Sequence, residues 1–269
     1  MMQTWQMRFS AEGRPTLFPD EALRREAVWT VGRVCAGIVV LLSIVDDHLH
    51  LLLLCDRARV GRVAHDLLLA LRPLAAPGLE PAWFKPVSGR NHLESLVEYL
   101  LTQAPHHGLP QHPALYSGNG FVDLVGARAV DGLELRLADA LPRYRQRTAY
   151  EAVGLPAVPL VPATVEEVRT AGPVRLAEAA KAALCVGPEL QGRTRPITRA
   201  RVAAARLARE ADLRSRDLAG PLGISQRAVQ MAARESPREA DVQAVRLRLA
   251  LEDAVMREGG AGSSTAGSR

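Results

Sequence analysis

The amino-acid sequence predicts an α+β domain followed by an all-α domain. All 4 Phe, 4 Tyr, 3 Trp and 7 His lie within the first 150 residues, and the remainder contains none of them. The first part alternates strand-like apolar segments with segments of helical periodicity, whereas the second part has helical periodicity alone. We therefore expect domains at residues 1–150 and 166–258, a proline-rich linker at 151–165 and a disordered tail at 259–269.

A strand, a helix and a hairpin begin the predicted first domain. Residues 4–9 alternate apolar and polar side chains, which is typical of a strand. Asp20 is a suitable N-cap for a helix that continues to residue 34. Residues 37–45 and 48–54 are mostly apolar, which predicts two strands buried on both faces and joined by a turn at Asp46-Asp47. We expect these two strands to form a central antiparallel hairpin.

A second helix, a fourth strand and a third helix follow. Apolar residues recur at helical spacing after Asp56 until Pro73 ends the run, and residues 82–87 can form a strand. Asn91 is a suitable N-cap for the third helix, which Pro105 ends. This order of elements is satisfied by a ferredoxin-like four-stranded antiparallel sheet with the helices on one face.

Charge, cysteine content and hydropathy restrict the class of protein. The formal net charge of +5 favours an anionic partner, of which nucleic acid is the commonest. Cys35, Cys55 and Cys185 are odd in number and far apart, which fits neither a disulfide framework nor a zinc cluster. The apolar segments are shorter than the roughly 18 residues that a membrane span needs. We expect a cytoplasmic protein that does not contact a membrane.

A histidine pair lies on the third predicted strand. Residues i and i+2 of a strand point to the same face, so His48 and His50 project side by side while Leu49 and Leu51 enter the core. Two imidazoles at this spacing can hold one divalent ion. A pair of hydrogen-bonded histidines without a metal fits the same spacing.

The third helix carries a polar face beside its apolar stripe. This face includes His92, Ser95, Tyr99 and Gln103, at steps of three, four and four residues. A phenol has a pKa of about 10 and is a poor nucleophile, but it can attack a phosphodiester that a metal polarises. Gln103 offers an uncharged oxygen as a third metal ligand. Taken alone, Tyr99 fits an amphipathic residue at the edge of the core better than a nucleophile.

These residues together resemble the REP-associated tyrosine transposases, within the single-tyrosine HUH transposase and nuclease group. The segment Val45-Asp-Asp-His-Leu-His-Leu-Leu-Leu-Leu54 is similar to the family's strand motif. The segment Tyr99-Leu-Leu-Thr-Gln103, followed by Gly108-Leu109, is similar to its tyrosine helix. The resemblance covers about residues 3 to 130. Asp46-Asp47 replaces the usual Pro-Asn, and Asp47 either adds a metal ligand or repels the DNA backbone.

The resemblance implies the HUH endonuclease fold and single-stranded DNA strand transfer on hairpin DNA, by a monomer or a homodimer. His48, His50 and Gln103 are then expected to hold Mg²⁺ or Mn²⁺. Tyr99 is expected to attack the scissile phosphate, which forms a 5′-phosphotyrosine and releases a 3′-hydroxyl. Two alternatives stay open: a DNA-binding protein that has lost the chemistry, and a metal-dependent phosphodiesterase that uses water. His106, His107 and His112 lie in a Gly- and Pro-containing loop, where we expect solvated side chains.

The second domain contains a predicted helix-turn-helix. Thr198 can cap a helix to residue 211, and a short helix from Ser215, a turn at Gly223 and a helix from Gln226 follow. Residues 193–238 hold 11 Arg and 4 acidic residues, a local charge of 11 − 4 = +7. Such a charge fits duplex DNA, although it also fits an arginine-rich solvated bundle. The predicted DNA-contacting residues are Arg199, Arg216, Gln226, Arg227, Gln230 and Arg234.

Overall fold

The computed structural model describes residues 2–13, 16–75, 78–187, 190 and 192–262. The chain divides into two compact units, of which the first comprises Met1–Leu124 and Val130–Ala157 and the second comprises Val125–Ala129 and Val158–Arg269. The main division falls inside the predicted linker. Residues 125–129 nevertheless belong to the second unit, although the chain returns to the first unit at Val130. Composition does not predict this.

The first unit is an α+β structure built on one sheet. Its strands and long helices are β1 (Gln3–Ser10), α1 (Glu21–Val34), β2 (Val39–Ile44), β3 (His48–Cys55), α2 (Arg57–Leu71), β4 (Trp83–Pro86) and α3 (Arg90–Leu101). Four short helices follow: α4 (Gln103–His106), α5 (Phe121–Leu124), α6 (Leu137–Ala140) and α7 (Gln146–Ala152). The strand order is β2-β3-β1-β4, and every neighbouring pair is antiparallel. The predicted α+β class and the four-stranded antiparallel sheet are confirmed.

Side-chain caps set the start of the first two helices. The carboxylates of Asp20 and Asp56 accept from the backbone N–H groups of Leu23 and Arg59, each at 2.8 Å. The predicted cap at Asn91 is wrong, because α3 begins at Arg90 with Gly89 at its N-cap. Gly89 has φ = 150° and makes no side-chain cap, so backbone geometry that favours glycine starts this helix.

Both faces of the hairpin strands β2 and β3 are covered, but β2 forms one edge of the sheet, so the prediction that the hairpin is central is wrong for β2. Every residue of β2 is buried, which requires cover on both faces because strand side chains alternate in direction. Tyr99 of α3 contacts the ring of His50, which points away from the face that carries Leu49 and Leu51. α3 therefore lies on the face of the sheet opposite Leu49 and Leu51. The predicted burial of this hairpin on both faces is confirmed.

The segment 118–120 adjoins the outer edge of β2. Ile44 N donates to Gly118 O at 2.8 Å, and Gly120 N donates to Leu42 O at 3.1 Å. A Cβ at Gly118 would approach the Ile44 carbonyl oxygen within 2.2 Å, so this close contact requires glycine. The Asn119 side chain donates to Leu101 O at 2.9 Å, which ties the C-terminus of α3 to the same segment.

The second unit contains helices and no strand among its described residues. The helices are α8 (Val165–Ala183), α9 (Arg195–Glu210), α10 (Ser215–Ala219), α11 (Gln226–Ala232) and α12 (Glu239–Gly262). α9 begins after Thr194, so the predicted start at Thr198 is wrong by one turn. The Ser225 hydroxyl accepts from Ala228 N at 3.2 Å and so caps the start of α11. The core of this unit consists of Ala, Val and Leu.

The last helix continues past residue 259, where the sequence predicts disorder. The predicted disordered tail is wrong for residues 259–262, which continue α12, and residues 263–269 lie outside the described residues. Cys35, Cys55 and Cys185 form no disulfide, and all three are buried. Among the described residues, every helix is too short or too polar to cross a lipid bilayer.

Candidate active site

β3 places the two motif histidines side by side. The ring centroids of His48 and His50 lie 4.5 Å apart with planes at 89°. Leu49 and Leu51, between and after them, are fully buried on the other face. The alternation of the strand therefore presents both imidazoles toward α3, as the spacing predicts.

His50 is a buried imidazole without a hydrogen-bond partner. The residue is 4% exposed, and neither its Nδ1 nor its Nε2 contacts a donor or acceptor. Burial lowers the pKa of His50 to about 3, and the positive charges of His48 and Arg8 add to this effect. The ring is therefore neutral at physiological pH, which is the form that binds metal ions. Buried polar groups usually have partners, so these two nitrogens indicate a ligand site.

Asp47 orients the first motif histidine. His48 Nδ1 and Asp47 Oδ1 lie 2.5 Å apart in a hydrogen bond. Partial burial opposes ionisation of Asp47, but the hydrogen bond from His48 and the nearby charge of His107 hold the pKa of the carboxyl below its usual value. A carboxylate bonded to one ring nitrogen leaves His48 Nε2 as the nitrogen that can bind a metal ion.

His107 joins this group from the loop after α4. Its ring centroid lies 5.0 Å from that of His48, and its Nδ1 lies 3.8 Å from Asp47 Oδ1. Ligand atoms of Asp47, His48 and His107 all lie within 4.8 Å of one another. The expectation that His107 is a solvated loop residue is wrong. A loop has no periodicity from which the direction of a side chain can be predicted. The one sequence feature that associates His107 with the site is its position shortly after Gln103.

Tyr99 lies against the second motif histidine although a helix and a strand separate the two in sequence. The ring centroids of Tyr99 and His50 are 5.6 Å apart, with planes at 79°. Tyr99 is 43% exposed, so its phenol is accessible to a macromolecular substrate. The structure thus brings together an accessible phenol, the buried imidazole of His50 and the partly buried imidazole of His48, as expected from the two motifs.

Gln103 is buried one turn after Tyr99. Its Nε2 donates to the Tyr99 carbonyl oxygen at 3.2 Å, which fixes the amide at the junction of α3 and α4. Its Oε1 is buried and has no hydrogen-bond partner. A buried, unpaired amide oxygen is available to a ligand such as a metal ion.

An open cleft of about 240 Å³ adjoins the histidines. It is lined by Arg8, Ser10, Asp47, His48 and Glu80. Arg8 is paired with His50 in the β1–β3 register, so its guanidinium is on the histidine face. The cleft therefore contains one cation, Arg8, that can bind a phosphate, and two carboxylates, Asp47 and Glu80, that disfavour phosphate binding.

In the second unit, Arg199 is not available to DNA. The residue is 9% exposed, and its Nε and Nη2 donate to the two carboxylate oxygens of Asp241 at 2.8 and 2.5 Å. Asp241 itself is 1% exposed. The prediction that Arg199 contacts DNA is wrong because this position of α9 faces the core.

The other predicted DNA-contacting residues are exposed on or near α10 and α11. They are Arg216, Gln226, Arg227, Gln230 and Arg234. Gln230 and Arg234 also line a cleft of about 500 Å³ together with Arg209 and Arg214. This side of the second unit therefore presents a set of cations and amides to solvent.

Comparison of the chain with family models, curated proteins and solved structures finds no match.

Proposed function

We propose that the chain is a metal-dependent single-stranded DNA endonuclease and strand transferase that uses Tyr99 as its nucleophile. The contact between Tyr99 and His50, with ring centroids 5.6 Å apart, carries the proposal. This contact places the histidine motif next to the tyrosine motif, and both motifs resemble those of the tyrosine transposases. Tyr99 is also exposed to solvent. Hairpin DNA of the kind that this family processes is the proposed substrate.

The topology of the first unit supports the same assignment. Its elements follow the order β1, α1, β2, β3, α2, β4, and the strands lie in the order β2-β3-β1-β4. This is the connectivity of a ferredoxin-like sheet, on which the HUH endonuclease fold is built. The histidine motif lies on a central strand, where it can face a helix.

The residues present fit a divalent metal ion. His50 contributes buried ring nitrogens without partners, and Gln103 contributes a buried oxygen without one. Asp47, His48 and His107 form a neighbouring set of donors whose ligand atoms lie within 4.8 Å of one another, and His50 is not one of that set. Oxygen donors suit Mg²⁺ and Mn²⁺ whereas imidazoles suit transition metals, so Mn²⁺ matches this mixed set better than Mg²⁺. A bound ion would supply a positive charge that polarises the scissile phosphate.

The chain's own residues perform the remaining chemistry. The Tyr99 phenol loses its proton to solvent, and its Oη forms a bond to phosphorus while the bond from phosphorus to the 3′ oxygen breaks. The 3′ oxygen takes up a proton and leaves as a hydroxyl, and the 5′ phosphate stays on Tyr99. Attack by a second 3′-hydroxyl reverses the step and joins two strands without ATP.

A second candidate function is phosphodiester hydrolysis by water. The hydrogen bond between Asp47 and His48, together with His107, favours this alternative. These groups can hold a metal ion and orient a water molecule without any part for Tyr99.

One assay separates the candidate functions. The full chain is incubated with Mn²⁺ and single-stranded oligonucleotides that carry hairpins, with EDTA as the control, and the products are resolved on a denaturing gel. We expect a covalent protein–DNA adduct and a free 3′-hydroxyl product in the presence of Mn²⁺. Cleavage without an adduct would favour the hydrolase, and binding without cleavage would favour a DNA-binding protein that has lost the chemistry.

The metal site gives a separate prediction. His107→Ala should weaken Mn²⁺ binding at least about tenfold, because even outer-shell partners of a metal site contribute about 10- to 100-fold. Titration of the free Mn²⁺ signal by electron paramagnetic resonance measures this. His106→Ala, which removes the exposed neighbouring imidazole, is the matched control and should bind Mn²⁺ like the native chain. Equal affinity in the two variants would remove His107 from the site.

We further propose that the second unit anchors duplex DNA through a helix-turn-helix formed by α10 and α11. The Ser225 cap and the exposed polar face of α11 support this.

Arg227→Ala should make the slope of log K against log salt for duplex binding less negative by about 0.9, the value for one phosphate contact. Fluorescence anisotropy at several salt concentrations measures the slope. Arg257→Ala, which removes an exposed arginine of α12, is the control and should leave the slope unchanged. The same change in both variants would indicate binding by overall charge alone.

A further inference from the structure

β4 is an edge strand with an unusual aromatic surface. It forms one end of the sheet, and all four of its residues, Trp83 to Pro86, are exposed. Trp83 is 46% exposed, although tryptophan is normally among the more buried residues. An exposed large aromatic side chain at a sheet edge indicates an interaction surface.

The strand register puts Trp83 on the same face as the candidate active site. Arg8 of β1 pairs with His50 of β3 on one side and with Trp83 of β4 on the other. Directly paired residues of antiparallel strands point to the same face of a sheet. His50 and Trp83 are thus two strands apart, which corresponds to about 10 Å across the sheet.

Two cations flank the tryptophan on this face. Lys85 Nζ lies 5.2 Å from the centroid of the Trp83 ring, and Lys85 pairs with Gln6 in the next position of the same face. Arg8, between Trp83 and His50, is exposed. An aromatic plane beside positive side chains is the arrangement by which proteins stack a nucleobase and bind its phosphate.

The edge itself is poorly suited to pairing with another strand. Pro86 has no backbone N–H, and Pro81 lies just before the strand. Prolines at an edge disfavour the addition of a further strand. The charge of Arg8 and Lys85 likewise favours an anionic ligand over an apolar partner.

We propose that Trp83, Lys85 and Arg8 bind single-stranded DNA, with one base stacked on Trp83 and its phosphate held by the two cations. Arg8 also lines the cleft at His48, together with the carboxylates of Asp47 and Glu80. The inference that this surface directs the strand toward Tyr99 rests on the proposed function. Duplex DNA has no unstacked base for Trp83.

The test uses the intrinsic fluorescence of the full chain. All three tryptophans, Trp5, Trp29 and Trp83, lie in the first unit, so the signal reports on this unit even if DNA also binds the second. The probe is a short oligothymidylate in EDTA, which prevents metal-dependent cleavage. We expect quenching by the single strand, and less by a duplex of the same length.

Substitutions test whether Trp83 is the residue that stacks on the base. Trp83→Ala should weaken binding about 5- to 150-fold, the range for loss of one base–aromatic stack, and should lose the quenching. Trp83→Phe should keep most of the affinity but lose the quenching. Phe84→Ala is the matched control, since it removes the adjacent exposed aromatic on the opposite face of the same strand, beside Trp5. It should bind the oligonucleotide like the native chain.

Several results would overturn the inference: native affinity in Trp83→Ala, an equal loss in Phe84→Ala, equal quenching by duplex, or self-association of the chain that Trp83→Ala abolishes. Native affinity in Trp83→Ala would leave the proposed function intact if the Mn²⁺ assay still gave an adduct. Conversely, stacking on Trp83 in EDTA without any adduct in Mn²⁺ would support the DNA surface and contradict the tyrosine chemistry.

Discussion

Replacement of Tyr99 by Phe is expected to abolish the covalent protein–DNA adduct and to lower the cleavage rate by a factor on the order of 10⁶, as loss of a covalent nucleophile does in other enzymes. Phenylalanine keeps the ring that packs against His50 but lacks the oxygen that attacks phosphorus. Tyr99 is 43% exposed, so the free energy of unfolding should change by less than about 0.5 kcal/mol. The gel assay and a thermal melt measure the two effects.

Tyr144→Phe provides the control for this experiment. Tyr144 lies in the same unit, and burial raises the pKa of its phenol to about 12, with further contributions from Glu98 and Glu94. A buried phenol that resists ionisation is a poor nucleophile. The variant should form the adduct like the native chain. An adduct that persists in Tyr99→Phe would assign the nucleophile to another residue.

Replacement of Arg199 by Ala is expected to destabilise the second unit by about 3–5 kcal/mol. Asp241 is 1% exposed, and Arg199 provides hydrogen bonds to both of its carboxylate oxygens. Removal of the arginine leaves a buried carboxylate without its compensating charge. Urea unfolding, followed by helical circular dichroism, measures the free energy of unfolding.

Two further variants separate this structural effect from DNA binding. Arg216→Ala removes an exposed arginine and should change the free energy of unfolding by less than about 0.5 kcal/mol. The double variant Arg199→Met, Asp241→Leu should recover most of the loss, because no buried charge remains. Native stability with weaker duplex binding in Arg199→Ala would instead support the original prediction of a DNA contact.

Much of the first unit could be predicted from the sequence because its signals are local. The two strands of the hairpin are consecutive apolar segments, and Asp20 is a capping residue directly before the helix that follows it. The His48–His50 pair could be predicted as well, since a strand leaves no choice about which residues share a face.

The rest depends on contacts between distant segments. His107 reaches the site from a loop, for which sequence periodicity gives no direction. Arg199 belongs to an arginine-rich helix in which the other arginines are exposed or partly buried. Only its buried partner Asp241 distinguishes Arg199 from them. Trp83 gains its place beside the site through the β1–β4 register, which no local pattern of β4 reveals.

Identification of the residue to which the DNA is covalently attached tests the central proposal most directly. The adduct formed in Mn²⁺ is digested with protease and nuclease, and the modified peptide is sequenced by mass spectrometry. The proposed function predicts a nucleotide linked through a 5′ phosphate to the Tyr99 phenolic oxygen. A nucleotide attached to any other residue, or cleaved DNA without a modified peptide, would contradict it.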